Sequence, residues 1–250
     1  MSAPHPIILG LMMVASGLSA DAQPVAFQST ESQTALLELF TSEGCSSCPP
    51  AEAWLSELKQ SPGLWKQFVP VAFHVDYWDH MGWRDRWAAK EFSDRQRAYA
   101  QSWRSDSIYT PGFVLNGREW REWARSKDGL GSSEAKAGVL KISSKDLRHW
   151  QASFSPAVRN AGDYEAHAAL LANGLVSDVK TGENRGRHLN HDFVVTALNA
   201  NPLKKAGDKA EGEFELTLPK QGEARRPALA VWVTRLGSFE PLQATGGRLP

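Results

Sequence analysis

The stretch Gly44-Cys45-Ser46-Ser47-Cys48-Pro49-Pro50 constrains this chain more than any other, because it holds the only two cysteines, spaced Cys-x-x-Cys. Residues 34–40 (T-A-L-L-E-L-F) run apolar just before it, the pattern of a short buried strand. Just after it, Ala51, Trp54, Leu55 and Leu58 recur at three- and four-residue steps, the stripe of an amphipathic helix. Pro49 and Pro50 lack amide protons and fit only a first helical turn, where those protons have no carbonyl partner. The prolines therefore pin the helix start on the cysteines. A thiol at a positive helix end has a lowered pKa and is reactive as thiolate.

Three chemistries suit such a pair: a structural clip, a redox-active disulfide, and a metal site. Closing a four-residue loop stabilises by only roughly 2 kcal/mol, and a chain of 250 residues can bury a core without it. That argument favours the redox pair. The metal alternative would join Cys45 and Cys48 to His74, or to His80, in the cluster His74, Asp76, Asp79 and His80. Two thiolates with imidazole suit Cu(I) or Zn. A plain hydrogen-bonded strand histidine is the competing reading of His74, so no metal or other cofactor is assigned.

The remaining chain sets the context. Residues 1–22 read as a signal peptide, with a 14-residue apolar or small stretch at 7–20 and Ala20-Asp21-Ala22 before Gln23. The expectation is export to the periplasm or beyond, an oxidising compartment that preserves disulfides. No stretch is long enough for stable membrane insertion. Lysine plus arginine and aspartate plus glutamate both number 28, which argues against nucleic acid as a partner.

Residues 68–77 (F-V-P-V-A-F-H-V-D-Y) read as a second strand. A strand, a crossover helix and a strand predict a βαβ unit with parallel pairing. A helix is expected over 85–103, with Trp87, Ala88, Phe92, Tyr99 and Trp103 on its apolar side. Six of the ten tryptophans fall between Trp78 and Trp123, which fits core packing or an aromatic substrate groove. Thr110-Pro111 then opens a short apolar strand that ends in the hairpin signal Asn116-Gly117.

The order strand, Cys-x-x-Cys, helix, strand, helix, Thr-Pro, hairpin resembles the thioredoxin fold, in which a cis-proline faces the disulfide; Pro111 matches that position. The segments L-E-L-F-T-S-E-G-C-S-S-C-P-P-A, F-H-V-D-Y-W-D, Y-T-P-G-F-V-L-N-G-R and G-E-N-R-G-R-H-L-N-H are similar to a family of secreted bacterial thioredoxin-like proteins. That family carries a domain-of-unknown-function label and brings no established reaction. Where thioredoxins keep a buried acid, this chain has Leu39. Glu38 sits one place earlier, on the opposite face of the strand. It is a candidate for proton transfer, or else a carboxylate satisfied by an arginine or backbone.

Beyond residue 136 the pattern changes. Short β-like segments at 138–143, 148–154, 164–172, 188–199, 211–218 and 227–234 suggest an antiparallel sandwich. Residues 182–187 (G-E-N-R-G-R) lack a following helix, so they read as a polar hairpin whose arginines face the first domain. The expected architecture is an α/β thioredoxin-like domain, a central mixed sheet flanked by helices, over 23–136. A β-sandwich-like domain follows over 137–250. The expected function is thiol–disulfide exchange by a monomer on protein clients or small thiols. Cys45 is the exposed attacking sulfur, Cys48 resolves, and Thr110, Pro111 and Glu38 assist. A periplasmic metal-handling protein and a redox-inert binding module are the alternatives.

Overall fold

The computed structural model describes residues 24–126, 130, 133–158, 162–217 and 226–250. The expected signal peptide and its cleavage point lie outside these residues. The strands in chain order are β1 (Val25–Gln28), β2 (Ala35–Thr41), β3 (Phe68–His74), β4 (Gly112–Leu115), β5 (Arg118–Glu119), β6 (Gly138–Ser144) and β7 (His149–Pro156). They continue with β8 (Tyr164–Ala172), β9 (Leu175–Asp178), β10 (His188–His191), β11 (Val194–Ala206), β12 (Lys209–Glu215), β13 (Ala228–Arg235) and β14 (Pro241–Arg248). Helix α1 spans Pro49–Glu57 and α2 spans Lys90–Ser102.

The region around the cysteines follows its sequence pattern. Strands β2 and β3 pair in parallel from Ala35↔Phe68 to Thr41↔His74, with α1 between them in the chain. β4 adds antiparallel to β2, and the Asn116-Gly117 turn returns the chain to β5. Helix α2 begins at Lys90 rather than at residue 85. Asp85 is buried and accepts the amides of Glu43 and Trp87, so residues 85–89 wrap the end of β3 before the helix can start.

The expectation of a helix-flanked thioredoxin-like domain followed by a separate antiparallel sandwich is overturned. Among the described residues twelve strands join in one mixed sheet, and strand greatly outweighs helix. The join is β11. Its first residue pairs in parallel with β3 at Val194↔Ala72, and Ala72 N donates to Phe193 O at 2.8 Å. Along most of its length β11 pairs antiparallel with β8, and its last residues pair with β12. Beyond β12 lie β7, β6 and β1, so the N-terminal strand sits among the C-terminal ones. The expected strand over 188–199 is in fact two. β10 pairs with β9 in a separate two-stranded sheet, and β11 starts afresh at Val194.

Strands β8 and β13 bury both faces, which is why they read A-A-L-L-A and A-L-A-V-W-V without alternation. Ala169, Leu171, Ala230 and Trp232 pack with Phe73 and Phe193 around the cysteine region. Leu170, Leu229, Val231 and Val233 pack on Trp150, Phe154 and Ile142. Strand β14 pairs antiparallel with β13 so closely that a Cβ at Gly246 would stand 2.3 Å from Leu229 O. Among the described residues no helix is long and apolar enough to cross a membrane.

Candidate functional site

Cys48 caps α1, with prolines at the first two helical positions, as the sequence demands. Cys45 and Cys48 form a disulfide with Cα atoms 5.5 Å apart. The Thr110–Pro111 bond is cis. Ser47 Oγ lies 3.3 Å from Cys45 Sγ and donates to Thr110 O at 3.5 Å. Trp78 Nε1 donates to Thr110 Oγ1 at 2.8 Å, which fixes the proline segment beside the cysteine loop. A Cβ at Gly44 would stand 3.0 Å from Trp78 Cβ, tighter than an ordinary contact.

Cys45 does not have the exposure expected of an attacking sulfur. Both cysteines are 0% exposed, while Ser46 and Ser47 between them face solvent. The cover comes partly from residues 182–187. Asn184 is buried, and its Nδ2 donates to Glu43 O at 2.8 Å and to Cys45 O at 2.9 Å. The Glu183 carboxylate accepts Ser46 N at 3.1 Å, and its hydrogen bonds from Ser46 hold its pKa below the usual range. The acid and the amide make these contacts; Arg185 and Arg187, expected to face this way, are exposed.

Beneath the disulfide loop lies a buried polar cluster gathered from five segments: Glu43, Glu52 of α1, His74 at the end of β3, Asp85, and His191 at the end of β10. His191 Nδ1 contacts Glu52 Oε2, and its Nε2 lies 3.1 Å from Glu43 Oε1. Thr41 Oγ1 donates to the other Glu52 oxygen at 2.5 Å, and Trp83 Nε1 donates to Glu43 Oε2 at 2.6 Å. His74 Nδ1 is 2.6 Å from Asp85 Oδ2, and the His74 and His191 rings meet edge-on with centroids 5.1 Å apart.

Burial opposes charge on both histidines, but the carboxylates prevail. Glu52 and Glu43 push His191 up to about 10, and Asp85 raises His74. Burial likewise opposes the charged carboxylates, yet His191 lowers Glu43 and His74 lowers Asp85.

Of the residues singled out from sequence, Cys45, Cys48, Thr110 and Pro111 come together. Glu38 does not join them. It faces α2 beside Phe40, where Arg95 Nε donates to it at 2.6 Å and Tyr99 OH donates to its other oxygen. Thr41 and Glu52 meet on the opposite side of β2. Asp76 accepts Ser93 Oγ, Asp79 accepts Asp85 N, and His80 is exposed. Among the described residues the three-donor group is Glu52, His74 and His191, not the cysteines with His74.

Sequence reading missed Glu43, Glu52, Asp85, Asn184 and His191. One signal was available: Glu52 stands one turn after Cys48 and one before Leu55, so it shares their buried stripe. The aromatic segment divides. Trp54 packs edge to face on Phe113, Trp120 and Trp123. Trp103, Ile108, Tyr109 and Gly112 line a cavity of about 300 Å³ next to the cis bond.

Residues 36–234 match the family model described as a protein of unknown function, DUF1223. The chain belongs to the DUF1223 family. No curated protein matches this DUF1223 chain. Among solved structures it is similar to protein AGR_C_4864 of Agrobacterium tumefaciens, with 23% identity and a TM-score of 0.61, covering 88% of this chain and 95% of that one. It is also similar to HBP35 of Porphyromonas gingivalis, with 13% identity and a TM-score of 0.57, covering 88% of this chain and 76% of that one. At these identities the likeness is one of fold.

Proposed function

We propose that this DUF1223 protein is an exported thiol–disulfide exchange protein acting as a monomer on protein or small-molecule thiols. The observation that carries the reading is the Cys45–Cys48 disulfide at the start of α1, with the cis Thr110–Pro111 segment fixed beside it. That local arrangement is thioredoxin-like at the level of the site. A substrate thiolate attacks one sulfur, the Cys45–Cys48 bond breaks, and its electron pair leaves on the other sulfur, which takes a proton. A second substrate thiolate then attacks the mixed disulfide and leaves the protein as a dithiol with the substrate oxidised; the reverse sequence reduces a substrate disulfide. The helix end stabilises the leaving thiolate. The cavity beside Tyr109 and Gly112 offers a place for the client chain.

A redox-inert module with a structural clip draws on the full burial of both sulfurs. A redox titration in glutathione buffers, read by thiol alkylation and mass, separates the two. The exchange reading expects reversible, two-electron cycling at a potential above about −300 mV, the bound below which structural disulfides sit. A pair that stays oxidised throughout glutathione buffer would sink it.

Asn184 gives a second expected outcome. Attack on a covered disulfide requires the 182–187 segment to lift, and Asn184 ties that segment to the cysteine loop. Asn184→Ala should leave two buried carbonyls without their donor, costing about 1–3 kcal/mol in urea unfolding. It should also speed reduction of the disulfide by dithiothreitol under native conditions. An unchanged reduction rate would show that this segment does not gate the sulfurs.

A further inference from the structure

We propose that Glu52, His74 and His191 form a binding site for one divalent transition-metal ion of the zinc class. One carboxylate oxygen and one nitrogen from each ring lie within 4.8 Å of one another. Ligand atoms held at about 2.0–2.2 Å from a zinc ion stand roughly 3.3–3.5 Å apart, so an ion would need shifts of about an ångström and would displace the proton shared by His191 Nδ1 and Glu52 Oε2. Two imidazoles and a carboxylate are a donor set suited to zinc, iron(II), cobalt or nickel, and too hard to select Cu(I).

Two features point to a ligand rather than to a closed ion-pair cluster. His74 Nε2 is fully buried and has no hydrogen-bond partner, while the other ring nitrogen is held by Asp85. A cluster made only of ion pairs leaves that nitrogen's desolvation uncompensated. The second feature is the shell behind the donors. Asp85 holds Nδ1 of His74, Glu43 holds Nε2 of His191, and Thr41 holds the second oxygen of Glu52. Histidine ligands in metal sites are oriented in this way, each with its far nitrogen on a carboxylate or carbonyl. Three carboxylates with two imidazoles also supply the negative charge that offsets a dication in a buried place.

The site is independent of the redox reading, since neither cysteine belongs to it. An ion there would tie α1 to the ends of β3 and β10. The segments bearing Glu43 and Asp85 would be held through the histidines.

The test uses the full chain with its disulfide intact, so that no thiol competes. After stripping with a strong chelator, Co²⁺ and Zn²⁺ are titrated as probes. The expected result is one saturable equivalent per chain, cobalt d–d bands with no sulfur charge-transfer band, and a melting temperature that rises with Zn²⁺ and falls on stripping. His74→Ala should weaken binding at least tenfold. Asp85→Asn, which weakens the hold on His74 and on the Glu43 amide without removing a ligand, should weaken it roughly 10–100-fold. Should His74→Ala fail to fold, X-ray absorption on the Zn²⁺-loaded wild-type protein decides by its scatterers, nitrogen and oxygen with imidazole rings being expected. No saturable binding to the stripped protein, sulfur among the ligands, or binding that survives His74→Ala unchanged would each overturn the proposal.

Discussion

Glu38→Ala is expected to destabilise the protein by about 3–5 kcal/mol, because it leaves a buried guanidinium without its counter-ion. Glu38 is 0% exposed and the Arg95 side chain only 8%. Arg95 stands over the rings of Phe73, Tyr99 and Trp232 at 5.2–5.4 Å, so it cannot swing to solvent without unpacking them. Burial opposes the guanidinium charge, and Glu38 more than restores it, which raises the Arg95 pKa further. Tyr99, donating to the same carboxylate and desolvated, has its pKa pushed well above the usual tyrosine value. Removing both ions together should hurt less: Glu38→Met with Arg95→Met should recover most of the loss, since apolar side chains of similar volume replace buried pairs at little cost. Urea unfolding of the single and double variants measures this. If Glu38 is structural, exchange per folded molecule should stay at the wild-type rate in Glu38→Gln. A native-like Glu38→Gln protein that has lost exchange would return Glu38 to proton transfer.

Cys48→Ser should abolish cycling and accumulate mixed disulfides through Cys45, and Cys45→Ser should abolish both. The proposed asymmetry has a local basis. Cys45 is buried, but its sulfur lies 3.3 Å from Oγ of the exposed Ser47, which also reaches the Thr110 carbonyl. Cys48 is built into the helix start, where its carbonyl accepts the amides of Ala51 and Glu52. Lifting the 182–187 segment frees Cys45 from Asn184 and leaves Cys48 tucked in α1. Non-reducing mass spectrometry of each variant mixed with a small aromatic disulfide reads the outcome. Trapping through Cys48 in Cys45→Ser, and none in Cys48→Ser, would reverse the assignment. The redox reading fails if both variants leave the wild-type rate of thiol turnover unchanged.

What the sequence alone determined is local. The prolines after Cys48 could occupy only a helix start, so the disulfide had to sit at the N-terminus of α1. Two apolar stretches joined by one short crossover helix favour parallel pairing, and β2 lies parallel beside β3. Asn116-Gly117 made a turn, with both residues at positive φ. Each inference rests on steric or hydrogen-bond constraints acting over a few residues. Tertiary structure decided everything that depended on which strand edge meets which. The apolar pattern of 188–199 marks buried faces but carries no information about partners. It gave no sign that Val194 would pair with Ala72 and fuse the two halves into one sheet. That single junction brings His191 to Glu52 and Glu43, and the adjoining loop carries Asn184 onto Cys45. Glu38 shows the same limit from the other side. Its face of β2 was legible from the period of the strand, but the Arg95, Tyr99 and Trp232 around it come from α2 and β13. Side-chain periodicity fixes direction within an element. Charge pairs and donor sets form between elements, where only close packing selects the partner.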